Sequence, residues 1–174
     1  MSEQKQEENT KDRLAHAYDR MLERVRHTLD TAEKRVAPTL EHALKDARER
    51  AVELGEITRE EADKVADYVR QDLHDMAEYL NETSRDYREW FRMDLQLIEA
   101  KIMDMLGSIA DRTRVEIAEI AARAAVRERH TGEIAGPGVL ACSNCGEELH
   151  FKTSGHIPPC PKCKSTTFRR IRGE

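Results

Sequence analysis

Four cysteines, spaced Cys142-x2-Cys145-x14-Cys160-x2-Cys163, constrain the fold more than any other feature of the chain. Two residues between paired cysteines let one tight turn aim both sulfurs at a single ion, and two such turns supply four thiolates. Four sulfurs at about 2.3 Å complete a closed tetrahedral shell with no open position for a substrate. The spacing predicts one Zn2+ held for structure, with iron in the same four-sulfur shell, as in a rubredoxin-type electron carrier, as the alternative. Gly146 follows the first pair, where a left-handed residue lets backbone amides point at sulfur. Lys164 holds the matching place after the second pair, at a cost of about 1 kcal/mol if the same geometry is kept. The chain contains 4 cysteines in all, so none is left for a disulfide framework.

The residues around the site fit short strands. Leu149 and Phe151 alternate with His150 and Lys152, and the run TTFRRI places Phe168 and Ile171 in a β-prone stretch. A unit of this size, residues 139–174, is too small to build a stable core alone, so metal binding is expected to supply much of its folding free energy. This pattern is that of a zinc ribbon with rubredoxin-like knuckles.

The remainder of the 174 residues reads as helix. Charged residues make up 36% and aromatics 5%, a mixture that suits long solvated helices better than a thick single core. Residues 1–11 lack apolar periodicity and read as a disordered leader. An apolar stripe then runs at steps of three and four from Leu14 through Tyr18, Met21, Val25 and Leu29 to Leu54, interrupted by Pro38. Pro38 is expected to kink the helix or to restart it as a first-turn residue. LGEITREEA is the clearest punctuation: Gly55 ends one helix, Thr58 and Glu61 have capping-box spacing at the start of the next, and Ile57 and Ala62 sit at staple positions. So short a connection makes the flanking helices antiparallel neighbours.

A second stripe extends from Val65 to Ala124. One unbroken helix from Arg59 to Arg129 would be about 105 Å long, well beyond the reach of the first. Either it breaks, near Asn81–Ser84 or Gly107–Ser108, or its far half pairs with another copy of the chain as a coiled coil. Three glycines and a proline within residues 132–138 read as a linker. The expected organisation is therefore mainly α: a helical hairpin or coiled coil over 12–130, a Gly/Pro linker at 131–138, and a small β zinc ribbon over 139–174.

Several chemistries can be weighed from the residues. Di-iron bundles need Glu-x-x-His pairs facing inward on helices. The residues three before His16, His27, His42, His74 and His130 are Arg13, Arg24, Thr39, Gln71 and Arg127, none of them a carboxylate. Helical acids such as Asp72, Asp75, Asp94, Asp104 and Asp111 read as a solvated face, and His150 and His156 as surface residues. No catalytic constellation or phosphate loop is evident, so the expectation is a non-enzyme without a small-molecule substrate. From Val139 onward six Lys and Arg face three acids, leaving this part at +3 and the rest at −8 within a net charge of −5. Lys152, Lys162, Lys164, Arg169 and Arg170, with Phe151 and Phe168, could contact phosphates and stack a base, or touch a protein partner. The phenylalanines have a second reading as the ribbon's small core. The polar N-terminus and the lack of a long apolar run predict a cytoplasmic protein without a membrane contact.

The segments LGEITREEADKVADYVRQDLHDMAEYL, RMDLQLIEAKIMDMLGSIADRTRVE and HTGEIAGPGVLACSNCGEELHF…IPPCPKCKSTTFRR together resemble the YbeL-like zinc-ribbon-containing proteins of bacteria. The resemblance covers roughly residues 12 to 171 and implies a cytoplasmic bacterial protein with an N-terminal helical region and a C-terminal ribbon. By residue matching it makes Cys142, Cys145, Cys160 and Cys163 the ligands, and it implies no particular activity. The expectation that follows is a structural or adaptor module, self-associating through its helices and meeting an unknown protein, or nucleic acid, through its ribbon.

Overall fold

Steps of three and four in the first stripe place Ala17, Tyr18, Met21, Leu22 and Val25 along one side of helix α1 (Ser2–Thr31), and all five are buried. A computed structural model describes residues 2–31, 39–83, 100–121 and 128–171. Four further described helices follow: α2 (Leu40–Glu53), α3 (Arg59–Thr83), α4 (Ala100–Arg112) and α5 (Arg114–Ala121). Helix α1 begins at Ser2, so residues 2–11, expected as a disordered leader, have helical backbone. The first stripe does not continue as one rod. It restarts at Leu40, where Thr39 is extended and its hydroxyl accepts the His42 N–H. Pro38, to which the interruption was ascribed, lies outside the described residues.

The α2–α3 connection follows the sequence reading closely. Gly55 has φ 67°, and the Glu56 and Gly55 amides donate to the Ala51 and Val52 carbonyls at 3.1 and 3.0 Å, closing the end of α2. Thr58 Oγ1 accepts the Glu61 N–H at 3.2 Å while Glu61 Oε2 accepts the Thr58 N–H at 2.8 Å. Ile57 and Ala62 are both buried across that cap. Ion pairs Arg48–Asp63 and Arg70–Glu41 then mark α2 and α3 as antiparallel neighbours.

The far half of the second stripe folds back within the same chain. Ile102, Met105, Leu106 and Ile109 of α4 share one core with Val65, Val69 and Leu73 of α3 and with Leu22 of α1. Helix α4 lies parallel to α1, joined by Lys101–Glu23, Arg26–Asp104 and Arg112–Asp30. Gly107–Ser108, one of the two expected breaks, is inside continuous α4. Helix α3 extends through Thr83, so Asn81–Thr83 of the other expected break are helical, and Ser84 lies outside the described residues. The stripe that suggested a coiled coil with another copy is, over the described residues, consumed by the intramolecular core.

The chain then forms the expected small β unit. Strands β1 (Arg129–His130), β3 (Gly138–Cys142), β4 (Glu148–Phe151) and β6 (Thr167–Arg170) make an antiparallel sheet in the order β1-β6-β3-β4. Strands β2 (Ile134–Ala135) and β5 (Gly155–His156) pair separately. The segment expected as a Gly/Pro linker is thus part of the fold. It carries β2, it is buried from Ile134 to Gly138, and Ile134 belongs to the helical core itself. Its glycine serves close approach: a Cβ at Gly136 would lie 2.8 Å from the Tyr18 hydroxyl and 3.2 Å from Asp72 Oδ2. Substituting Gly136→Ala is therefore expected to lower unfolding stability by about 1–3 kcal/mol, read as a reduced urea midpoint of the helical circular dichroism signal.

Candidate metal centre

Both knuckles are built by the same backbone arrangement. In the first, the Gly146 amide donates to the Cys142 carbonyl at 2.9 Å and the Cys142 amide to the Glu147 carbonyl at 2.8 Å. In the second, the Lys164 amide donates to the Cys160 carbonyl at 3.0 Å and the Cys160 amide to the Ser165 carbonyl at 2.9 Å. Gly146 has φ 76° and Lys164 φ 61°, so the lysine does keep the left-handed geometry that the first knuckle gives to glycine.

The four sulfurs lie within 4.8 Å of one another, with Cys142–Cys163 and Cys145–Cys160 separations of 3.6 Å. A tetrahedron with metal–sulfur bonds of about 2.3 Å has edges of about 3.8 Å, so the donor set matches one ion of zinc size. His150 is exposed and His156 gives its Nδ1 to the Gly132 carbonyl at 2.8 Å; neither joins the cluster. The Asn144 side chain and the Ser165 amide hold the Cys163 thiol down at about 6. Burial opposes ionisation of Cys142, but the Cys145 and Asn144 amides pull its value below that of a free thiol. At Cys145 the Glu147 amide favours the thiolate, yet burial and the facing Cys163, Cys160 and Cys142 push it up to about 12. The metal-free site therefore favours some thiolates and resists a full set, which a dication would complete by displacing protons.

The ribbon's own core surrounds this cluster: Ala135, Leu140, Ile157 and Phe168 pack with Cys142 and Cys160. Phe168 is fully buried, which removes it from the expected contact residues and settles it as core. Phe151 is half-buried against the same core. Lys152, Lys162, Lys164 and Arg169 are exposed, Lys162 within 3.8 Å of Glu147.

Arg170 departs from the expectation altogether. Its side chain is 5% exposed and its Nη2 donates to Asp72 Oδ1. Asp72, read from sequence as part of a solvated face, is 0% exposed and is the centre of the contact between ribbon and helices. Its Oδ1 also accepts Arg129 Nη2 at 2.7 Å, while its Oδ2 accepts the Tyr18 hydroxyl at 2.6 Å and the Gly136 amide at 2.7 Å. Four donors use the roughly four lone-pair sites of a carboxylate. Arg129 reaches Asp75 as well, at 2.6 Å, so two arginines and two aspartates sum to no net charge. Burial alone would raise Asp75, but His74 and the two guanidiniums outweigh it and hold it at about 2. Burial, reinforced by Asp72, pushes Tyr18 well above the usual phenol value and keeps it a donor. Ser154 of the ribbon also donates to Asp19 of α1. Asp104 and Asp111 are exposed as expected, and Asp94 lies outside the described residues.

Strand β6 joins the two centres. Phe168 and Arg170 are two residues apart and so share a face, one packed on the cysteines and the other locked to Asp72. No helix among the described residues is long and apolar enough to cross a membrane. A family model described as a zinc-ribbon containing domain matches residues 27–172. Comparison with curated proteins and with solved structures finds no match.

Three outcomes follow from this seam. Asp72→Ala strands two buried guanidiniums and is expected to cost about 3–5 kcal/mol in urea unfolding. Asp75 titrates lower in the folded chain than its ordinary 3.8, so its stabilising contribution is complete above about pH 4 and is lost as pH falls toward 2. Acid titration should therefore weaken wild type more steeply over that window than an Asp75→Asn variant. Chelation of the metal, which frees β6, is expected to lower the thermal midpoint of the helical signal; separate units would leave that midpoint unmoved.

Proposed function

The chain belongs to the zinc-ribbon containing domain family, and from that premise we propose that it is a non-enzymatic interaction module in which one Zn2+ has a structural role. The observation that carries this reading is the closed donor set: four cysteine sulfurs within 4.8 Å of one another, with no further His, Asp or Glu among the described residues in the cluster. A shell of this kind leaves no coordination position for substrate chemistry. Within the family, the YbeL-like group of the bacterial cytoplasm is the narrower placement that the resemblance of residues 12–171 favours.

Partner contact, in this reading, falls to the polar face of the ribbon. Leu54 and Val115 are the exposed large hydrophobics among the described residues, so an apolar route to self-association is poorly supplied there. Lys152, Lys162, Lys164 and Arg169 are exposed, whereas Phe168 and Arg170 are committed to internal contacts. Four cations with at most one half-buried aromatic favour a protein partner over stacked single-stranded nucleic acid.

The test is affinity capture from cells at low salt with the full chain and with a Lys152→Glu, Lys162→Glu, Lys164→Glu variant, each with and without nuclease. A nuclease-resistant protein lost with the variant is the expected outcome. Nucleic acid lost with the same variant would replace the reading with nucleic-acid binding. Identical capture by both chains would remove the ribbon face as the contact surface.

A further inference from the structure

Helix α3 and the ribbon do not meet along their whole length. Beside the Asp72 contact they stand apart around a cleft of about 780 Å3, within the range of about 300–1,000 Å3 that ligand sites occupy. Tyr68 and Gln71 line it from α3. His130 of β1, Ser143 of the first knuckle and Arg169 of β6 line it from the ribbon. The ribbon wall is continuous, because His130 pairs with Thr167 and the Ser143 amide donates to the Thr167 carbonyl at 3.0 Å. Arg169 and Arg170 are adjacent in a strand and project to opposite faces, so the residue beside the buried lock is the one free to face the cleft.

The charges of this cleft divide into those already satisfied and those that are not. Lys64 holds Glu60 at 2.8 Å, Asp67 holds Arg70, and Glu133 accepts the His130 amide at 3.1 Å. Arg169 and Glu128, which also lines the cleft, have no ion-pair or hydrogen-bond partner among the described residues. Gln71 Oε1 is buried and unpartnered. Among the described residues the unsatisfied charges of the cleft are therefore one cation and one anion, beside the ring of Tyr68. A phosphate backbone suits this poorly, since the cleft holds three carboxylates against Lys64 and Arg169. A chain segment with an acidic side chain for Arg169 and a basic one for Glu128 matches both.

We propose that this cleft is a docking site for a short peptide segment of a protein partner that carries one acidic and one basic side chain. The proposal rests on the interaction-module reading and deepens it by naming the recognised chemistry. The site is bounded by α3 on one side and by the first knuckle and β6 on the other, so it exists only while the ribbon is folded and docked.

The test uses the full zinc-loaded chain as bait for a displayed library of random twelve-residue peptides, followed by calorimetric titration of the enriched sequences. Enriched peptides should carry both charges, and Arg169→Glu should weaken them about tenfold. A peptide with its acidic residue changed to Lys should recover binding to the Arg169→Glu chain. Tyr68→Ala, which alters the cleft without changing its charge, should weaken every enriched peptide. No enrichment over an unrelated bait, or peptides that bind wild type and both variants equally, would overturn the proposal. So would a single-stranded oligonucleotide that binds more tightly than any peptide and is lost with Arg169→Glu. If the cleft fails while the lysine reversals of the ribbon still abolish capture, the broader reading survives and only the peptide site falls.

Discussion

A single buried carboxylate holds the two halves of this protein together. Asp72 lies on the buried face of α3, and it accepts hydrogen bonds from α1, from the glycine segment and from the arginines of β1 and β6. An isolated carboxylate at such a depth would be prohibitively unfavourable. With Arg129, Arg170 and Asp75 it forms a cluster of no net charge, and with Tyr18 and Gly136 it leaves no acceptor site idle. Buried ion pairs contribute little to net stability compared with an apolar contact of the same shape, because desolvation offsets their attraction. What such a cluster supplies is geometry: in this seating of the ribbon all four donors are satisfied.

That seating links the metal centre to the helices mechanically. The cysteine cluster orders β3 and β6, Phe168 fills the space beneath it, and Arg170 on the same face of β6 enters the helical bundle. Ile134 does the same for the apolar core, since it belongs to the helical cluster although it lies in the β2 segment. The ribbon is thus a cap seated on the bundle rather than an appended knob, and the surface it presents is held against α3.

Much of this was legible in the residues. Cysteine spacing predicted both knuckles, and even the strained Lys164 follows from the need for a left-handed residue after each pair. The α2–α3 turn was readable because caps are local: Gly55, Thr58 and Glu61 act within a few residues of one another. Asp72 was not read correctly, though the signal was present. It stands seven residues after Val65 and four before Met76, on the buried stripe, where a charge requires partners that no local pattern reveals. Arg129 and Arg170, 57 and 98 residues away along the chain, supply them.

The sequence by itself determined the local chemistry: the caps between α2 and α3, which four sulfurs converge, and that the chain is mainly α with a small β ribbon. Tertiary structure decided how those parts were used. It turned the far half of the second stripe back onto the first and made a glycine-rich stretch into a close-packed contact. It also withdrew Phe168 and Arg170 from the surface. The physical reason is that caps, turns and metal knuckles are satisfied by neighbours in sequence, whereas an apolar stripe or a buried charge specifies only that something must cover it.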